Sequence, residues 1–150
     1  MSLLGLELLF EAAGHLGCGG VVPGDLRFPE GEKPRLAGGP YFSISHTTQR
    51  VACAASLDCD VGLDHEDFTG HDAPAGLKHW TAVEATLKAA GAGLARAAIV
   101  EVDAELSSSR LDGARYQLVP LDLGPGVVAC LASRARPDAI EVRPPEGSCA

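Results

Sequence analysis

Three strand-length runs follow one another in the middle of this chain: Tyr41 to His46, Val51 to Ser56 and Val61 to Glu66. Each favours extended backbone and is bounded by turn-forming residues, which predicts three short strands. The stretch from Asp67 to Pro74 turns to Gly, His, Asp and Pro and reads as a loop, and a helix is predicted over Ala75 to Ala90, stopping at Gly91. Upstream, Ser2 caps a predicted helix that runs to about Leu16 and ends at the glycines 17, 19 and 20, with Leu3, Leu6, Phe10 and Ala13 on one face. A short extended segment at Leu26 to Phe28 precedes a loop rich in Pro and Gly from Pro29 to Pro40. Further strands are expected near Ala98 to Val102, Tyr116 to Pro120 and Gly126 to Ser133. Two helices among strands that do not strictly alternate with them predict an α+β fold.

At 150 residues the chain has room for one domain, placed at residues 1–136, with residues 137–150 as a weakly ordered tail. Its net charge of -8, with three Lys and nine Arg scattered along the chain, argues against a nucleic-acid partner. No membrane span is expected: the apolar run Leu3 to Phe10 is too short, carries Glu7, and lacks the basic leader of a signal peptide. Cys18, Cys53, Cys59, Cys130 and Cys149 are odd in number and show no CxxC spacing, which fits a reducing cytoplasm. Cys53 and Cys130 lie in apolar runs and are expected to pack as small hydrophobes.

Asp64 and Glu66 stand two apart in a predicted strand, so their carboxylates share one side and His65 points to the other. The pair is either two solvated acids at a strand end or a seat for magnesium, which takes oxygen ligands and needs few carboxylates when substrate phosphates complete its shell. Trp80, Glu84 and Lys88 are spaced i, i+4 and i+8, on one face of the second helix. Glu84 and Lys88 are either an ordinary surface ion pair or a carboxylate and an ammonium presented together to a ligand. His46 ends a strand where polar side chains meet solvent, and Lys33 sits in a loop stiffened by Pro34.

In order along the chain, Gly31 to Pro34, Phe42 to Thr47, Val61 to Glu66 and Trp80 to Lys88 resemble the G-x-K-P, F-x-[IL]-S-H-[ST], V-G-[IV]-D-x-E and W-[ST]-x-[KR]-E-[AS]-x-x-K motifs of the 4'-phosphopantetheinyl transferases of the larger, surfactin-synthetase-activating type. The resemblance covers about Leu3 to Ser133. It implies a 4'-phosphopantetheinyl transferase-like fold of two pseudo-repeated lobes, with the first lobe reduced here. It further implies transfer of the phosphopantetheine arm of coenzyme A to a serine of an acyl or peptidyl carrier protein. Asp64, Glu66 and Glu84 would hold Mg2+ on the diphosphate, Glu84 would also serve as general base, Lys88 would stabilise phosphate charge, and Lys33 and His46 would contact the nucleotide phosphates.

This sequence departs from that pattern in three places. It begins at about the helix that follows the family's basic N-terminal segment. Val83 replaces the Lys or Arg before the helix glutamate, and only thirteen residues separate Glu66 from Trp80, where larger members carry a longer helical insertion for carrier docking. The alternative function is a degenerate member that binds coenzyme A or a carrier protein without transfer. A homo-oligomer is a further expectation, because smaller members assemble their site between subunits. Asp64, at a strand end facing a ligand, and the exposed Glu84–Lys88 pair are expected to contribute little to stability, and His65, on the opposite face, to be dispensable for chemistry.

Overall fold

A computed structural model of the chain describes residues 2–144. Helix α1 spans Leu3–His15, and its cap is the one expected: the Ser2 hydroxyl accepts the Gly5 backbone N–H. The buried face differs from the expected one. Gly5, Leu9 and Ala13 are buried, Leu6 and Phe10 are half-buried, and Leu3 is 76% exposed. Gly5 accounts for the rotation: a Cβ there would stand 3.0 Å from the Ile44 side chain, so its absence lets the helix settle closely on that side.

Two short strands pair with each other: β1 (Leu26–Arg27), in the segment expected to be extended, and β2 (Arg35–Leu36), inside the expected loop. Strands β3 (Tyr41–His46) and β4 (Val51–Ser56) form an antiparallel hairpin, followed by β5 (Val61–Asp67). Helix α2 occupies Ala75–Ala90 and ends at Gly91, whose φ of 68° is left-handed. The region expected to be a strand from Ala98 is instead a 3-10 segment, Leu94–Ile99, that leads into the two-residue β6 (Glu101–Val102). Strands β7 (Ser108–Leu111), β8 (Ala114–Leu121) and β9 (Val127–Ser133) complete the chain. The fold is α+β, with an antiparallel five-stranded sheet ordered β5-β9-β8-β7-β6.

Residues 137–144 carry no helix or strand, while the rest of the expected tail, with Cys149, lies outside the described residues. Cys18, Cys53, Cys59 and Cys130 are free thiols. Burial pushes the thiols of Cys53 and Cys130 up to about 12, as befits packing groups. No described helix is long and apolar enough to cross a membrane.

Three apolar clusters organise the layers. Ala82, Val83, Leu87, Tyr116, Leu118 and Cys130 join α2 to one face of the large sheet. Leu9, Ala13, Leu36 and Phe42 join α1 to the hairpin. Val61, Leu63 and Leu131, on the far face of the large sheet, meet Ala52 and Ala54 of β4. The helix α2 can lie close to β5 because residue 62 is glycine: a Cβ there would fall on the Ala85 carbonyl oxygen and the Ala89 backbone nitrogen, neither of which can move independently of the helix.

Gly62→Ala is therefore expected to destabilise the fold by about 3 kcal/mol, the upper range for overpacking a rigid contact. Urea unfolding measures it; a loss no larger than that of an ordinary surface substitution would show that α2 does not rest on β5 as described.

Candidate metal centre and phosphate site

The site forms where β3, β5 and α2 meet. Leu63 and His65 turn backbone N–H groups outward from β5, and no described strand pairs with that edge. Serine hydroxyls of β3 take them instead: Ser43 Oγ accepts from Leu63 at 2.9 Å and Ser45 Oγ accepts from His65 at 3.3 Å. Ser45 also donates to Asp64 Oδ1 at 3.1 Å, and Lys88 Nζ reaches Ser45 Oγ at 3.2 Å and Asp64 Oδ1 at 2.5 Å. One hydroxyl thus ties together the edge of β5, its carboxylate and the helix ammonium. Alternation along β5 sends Gly62, Asp64 and Glu66 toward α2, and Val61, Leu63 and His65 toward the opposite face.

Asp64, Glu66 and Glu84 converge as the expected ligand set: each offers a carboxylate oxygen, and these atoms lie within 4.8 Å of one another. Asp64 is 2% exposed, and its Oδ2 is buried without a hydrogen-bond partner. Glu66 and Glu84 are partly open to solvent. Burial first, and the neighbouring Asp64 charge second, hold the carboxyls of both glutamates above their usual range, with Lys88 pulling the other way. An orphaned buried oxygen, three hard-oxygen donors and uncompensated like charge together fit a divalent cation such as magnesium.

Two sequence-based expectations need correction here. Asp64 is not a solvated acid at a strand end, because β3 and α2 close over it. Lys88 is not chiefly a surface partner of Glu84: it stands 4.0 Å from Glu84 Oε2 and much closer to buried Asp64. His65 points away from the carboxylates, as alternation predicts; it is 1% exposed, with neither ring nitrogen hydrogen-bonded, and burial holds its pKa below the usual value.

Lys33 stands apart from the carboxylates, and His46 is engaged with the start of α1. Lys33 Nζ donates to the Val61 carbonyl and lies 3.5 Å from Asp60, with burial lowering its pKa against the opposing pull of Asp60. Val61 precedes Asp64 by three residues, so Lys33 sits roughly 10 Å along the strand at about 3.3 Å per residue. It lines a cleft of about 260 Å³ with Arg35, Asp60 and the end of α2 at Ala89 to Gly91. His46 Nε2 hydrogen-bonds the Ser2 hydroxyl at 2.8 Å at the start of α1. Beyond Glu66, Arg50 bridges Asp67 at 3.2 Å and the Pro125 carbonyl at 3.3 Å, beside a second cleft of about 460 Å³.

Ser45 is the member of the site that residue-type reasoning passed over. Its signal was present, since it alternates with Ser43 on one face of β3, where small hydroxyls in an otherwise apolar strand mark an edge-to-edge junction rather than a core.

Raised carboxyl values make a stability prediction. A glutamate that is harder to ionise in the fold than in the unfolded chain opposes folding when charged, and this penalty fades as pH falls through its raised value toward the ordinary 4.5. Without divalent metal, Glu84→Gln should melt above the wild type at neutral pH, and the two curves should converge on acidification. A Glu84→Gln protein that melts lower at neutral pH would show that Glu84 is a structural partner of Lys88 instead.

No protein-family model matches this chain, and no curated protein matches it either, so its four ordered motifs stand as a resemblance and its function is read from the residues and their geometry.

Proposed function

We propose that this protein is a magnesium-dependent 4'-phosphopantetheinyl transferase, moving the phosphopantetheine arm of coenzyme A onto a serine hydroxyl of an acyl or peptidyl carrier protein. The observation that carries the reading is the convergence of Asp64, Glu66 and Glu84 from β5 and α2 around one point, with the Lys88 ammonium beside them. The two helix-on-sheet units, α1 on the β3–β4 hairpin and α2 on the five-stranded sheet, are compatible with the two-lobed family fold whose first lobe is reduced.

Asp64, Glu66 and Glu84 are the residues that would hold magnesium. Bound there, the cation would neutralise the diphosphate of coenzyme A and withdraw charge from the phosphorus under attack. The chain's own groups account for the rest. Glu84 is partly solvent-accessible, and its carboxylate is placed to take the proton of an incoming serine hydroxyl. Lys88, partly shielded from water and fixed by Asp64 and Ser45, supplies a positioned positive charge toward the leaving phosphate, and such a charge is worth more in a shielded site than in water. Coenzyme A carries a further phosphate on its ribose, distant from the diphosphate. The separation of Lys33 from the carboxylates is compatible with a contact to that nucleotide end, and His46, which follows Ser45 at the other end of the seam, is assigned a second phosphate contact.

Incubation with coenzyme A, magnesium and a panel of apo-carrier proteins, read by carrier mass, tests the function. A carrier gaining one phosphopantetheine is expected, and binding of coenzyme A with no mass gain on any carrier would favour the non-transferring alternative. In the same assay Lys88→Met should lower turnover about a hundredfold. Because it strips buried Asp64 of its cation, it should also cost about 2 kcal/mol of stability; unchanged carrier modification by folded Lys88→Met would refute the role given to that residue.

A further inference from the structure

The hairpin has an unused edge. β4 pairs with β3 alone, and among the described residues no backbone group from elsewhere meets its far side. Its side chains are already engaged on both faces, Cys53 with the α1 cluster and Ala52 and Ala54 with Val61 and Leu63. All six of its residues nevertheless remain half-buried, which leaves the backbone edge as the accessible part. Val-Ala-Cys-Ala-Ala-Ser has no charge and no proline, and so lacks the usual devices that protect an open edge.

The edge is also roofed. Helix α1 lies over β4 more than over β3. Its Phe10 flank packs toward Leu26, Leu36 and Phe42, whereas Leu4, Leu8 and Ala12, on the opposite flank by helical spacing, belong to no apolar cluster and stay half-buried or exposed. Among the described residues, an open ladder thus lies beside a helix flank on which Leu4, Leu8 and Ala12 stand with the Glu11–His15 pair.

The same chain carries a segment that fits it. Asp138 to Arg143 lies between Pro137 and Pro144 and has six residues, the length of β4. Ile140 and Val142 alternate with Glu141 and Arg143, and the Arg143–Glu141 ion pair of 2.7 Å joins residues two apart, as extended backbone places them. Ile140 and Val142 are 39% and 52% exposed, and the segment pairs with no described strand of its own chain.

We propose that Asp138–Arg143 of a second copy adds to the open edge of β4, setting Ile140 and Val142 beneath Leu8 and Ala12 of α1. Each copy offers both the edge and the strand, so the exchange is reciprocal and closes as a two-fold dimer. The flanking prolines, which cannot donate to a ladder, confine the added strand to the length of the edge. The inference is independent of the transfer chemistry.

Light scattering on the size-exclusion eluate of the full chain, with hydrogen exchange followed at Val51–Ser56, tests it. The wild type should elute at twice the chain mass with slow exchange across Val51–Ser56. Ile140→Asp with Val142→Asp, at positions exposed in the single chain, should give a folded monomer with fast exchange at the alternate β4 amides that point away from β3, and Leu8→Asp on the receiving side should do the same. A monomeric wild type, including one whose Val51–Ser56 amides are protected by its own segment, would overturn the proposal. So would a dimer that survives both sets of changes.

Discussion

Two backbone N–H groups on the edge of β5, those of Leu63 and His65, are satisfied by serine side chains instead of by a neighbouring strand. Much of the molecule depends on that substitution. A regular ladder would merge β3 into the large sheet. Hydroxyls instead join the hairpin to the sheet at one seam, so that α1 and α2 each keep a sheet surface of their own. The seam also brings Ser45 to Asp64 and Lys88, and it buries the aspartate. A buried N–H left unpaired costs about 1–3 kcal/mol, so the serines are structural before they are anything else.

The carboxylate cluster sits against this seam in an arrangement that the apo fold does not favour. Asp64 has a cation on one oxygen and nothing on the other, and both glutamates resist ionisation because they are partly buried next to it. Apolar or amide groups there would give a more stable protein, and natural sites that sacrifice stability in this way commonly do so for ligands. Lys88 lessens the repulsion without cancelling it, since one ammonium faces three carboxylates.

Periodicity and turn chemistry made most of the framework legible before any coordinates. The Ser2 cap, the helix from Ala75 to the left-handed Gly91, and strands β3 to β5 follow from local signals that tertiary packing reinforces. The strand β7 was missed although Asp112-Gly113, both at positive φ, marks a tight hairpin between Leu111 and Ala114. The face of α1 was misread because apolar pattern alone ignores how a glycine lets a helix approach its sheet. In the site, alternation correctly placed Asp64 and Glu66 on one side of β5. What it could not supply was depth: whether Asp64 and His65 face water depends on β3, which lies eighteen and more residues earlier and contacts β5 through side chains rather than through a ladder.

The central claim is that this cluster is a cation-dependent site for a phosphorylated ligand. Calorimetric titration of coenzyme A into the metal-free protein, with and without added magnesium, addresses it directly. Three carboxylates aimed at one region repel a diphosphate unless a cation stands between them, so binding should be weak in chelator and should tighten when magnesium is restored. Equal affinity in the two conditions would contradict the account.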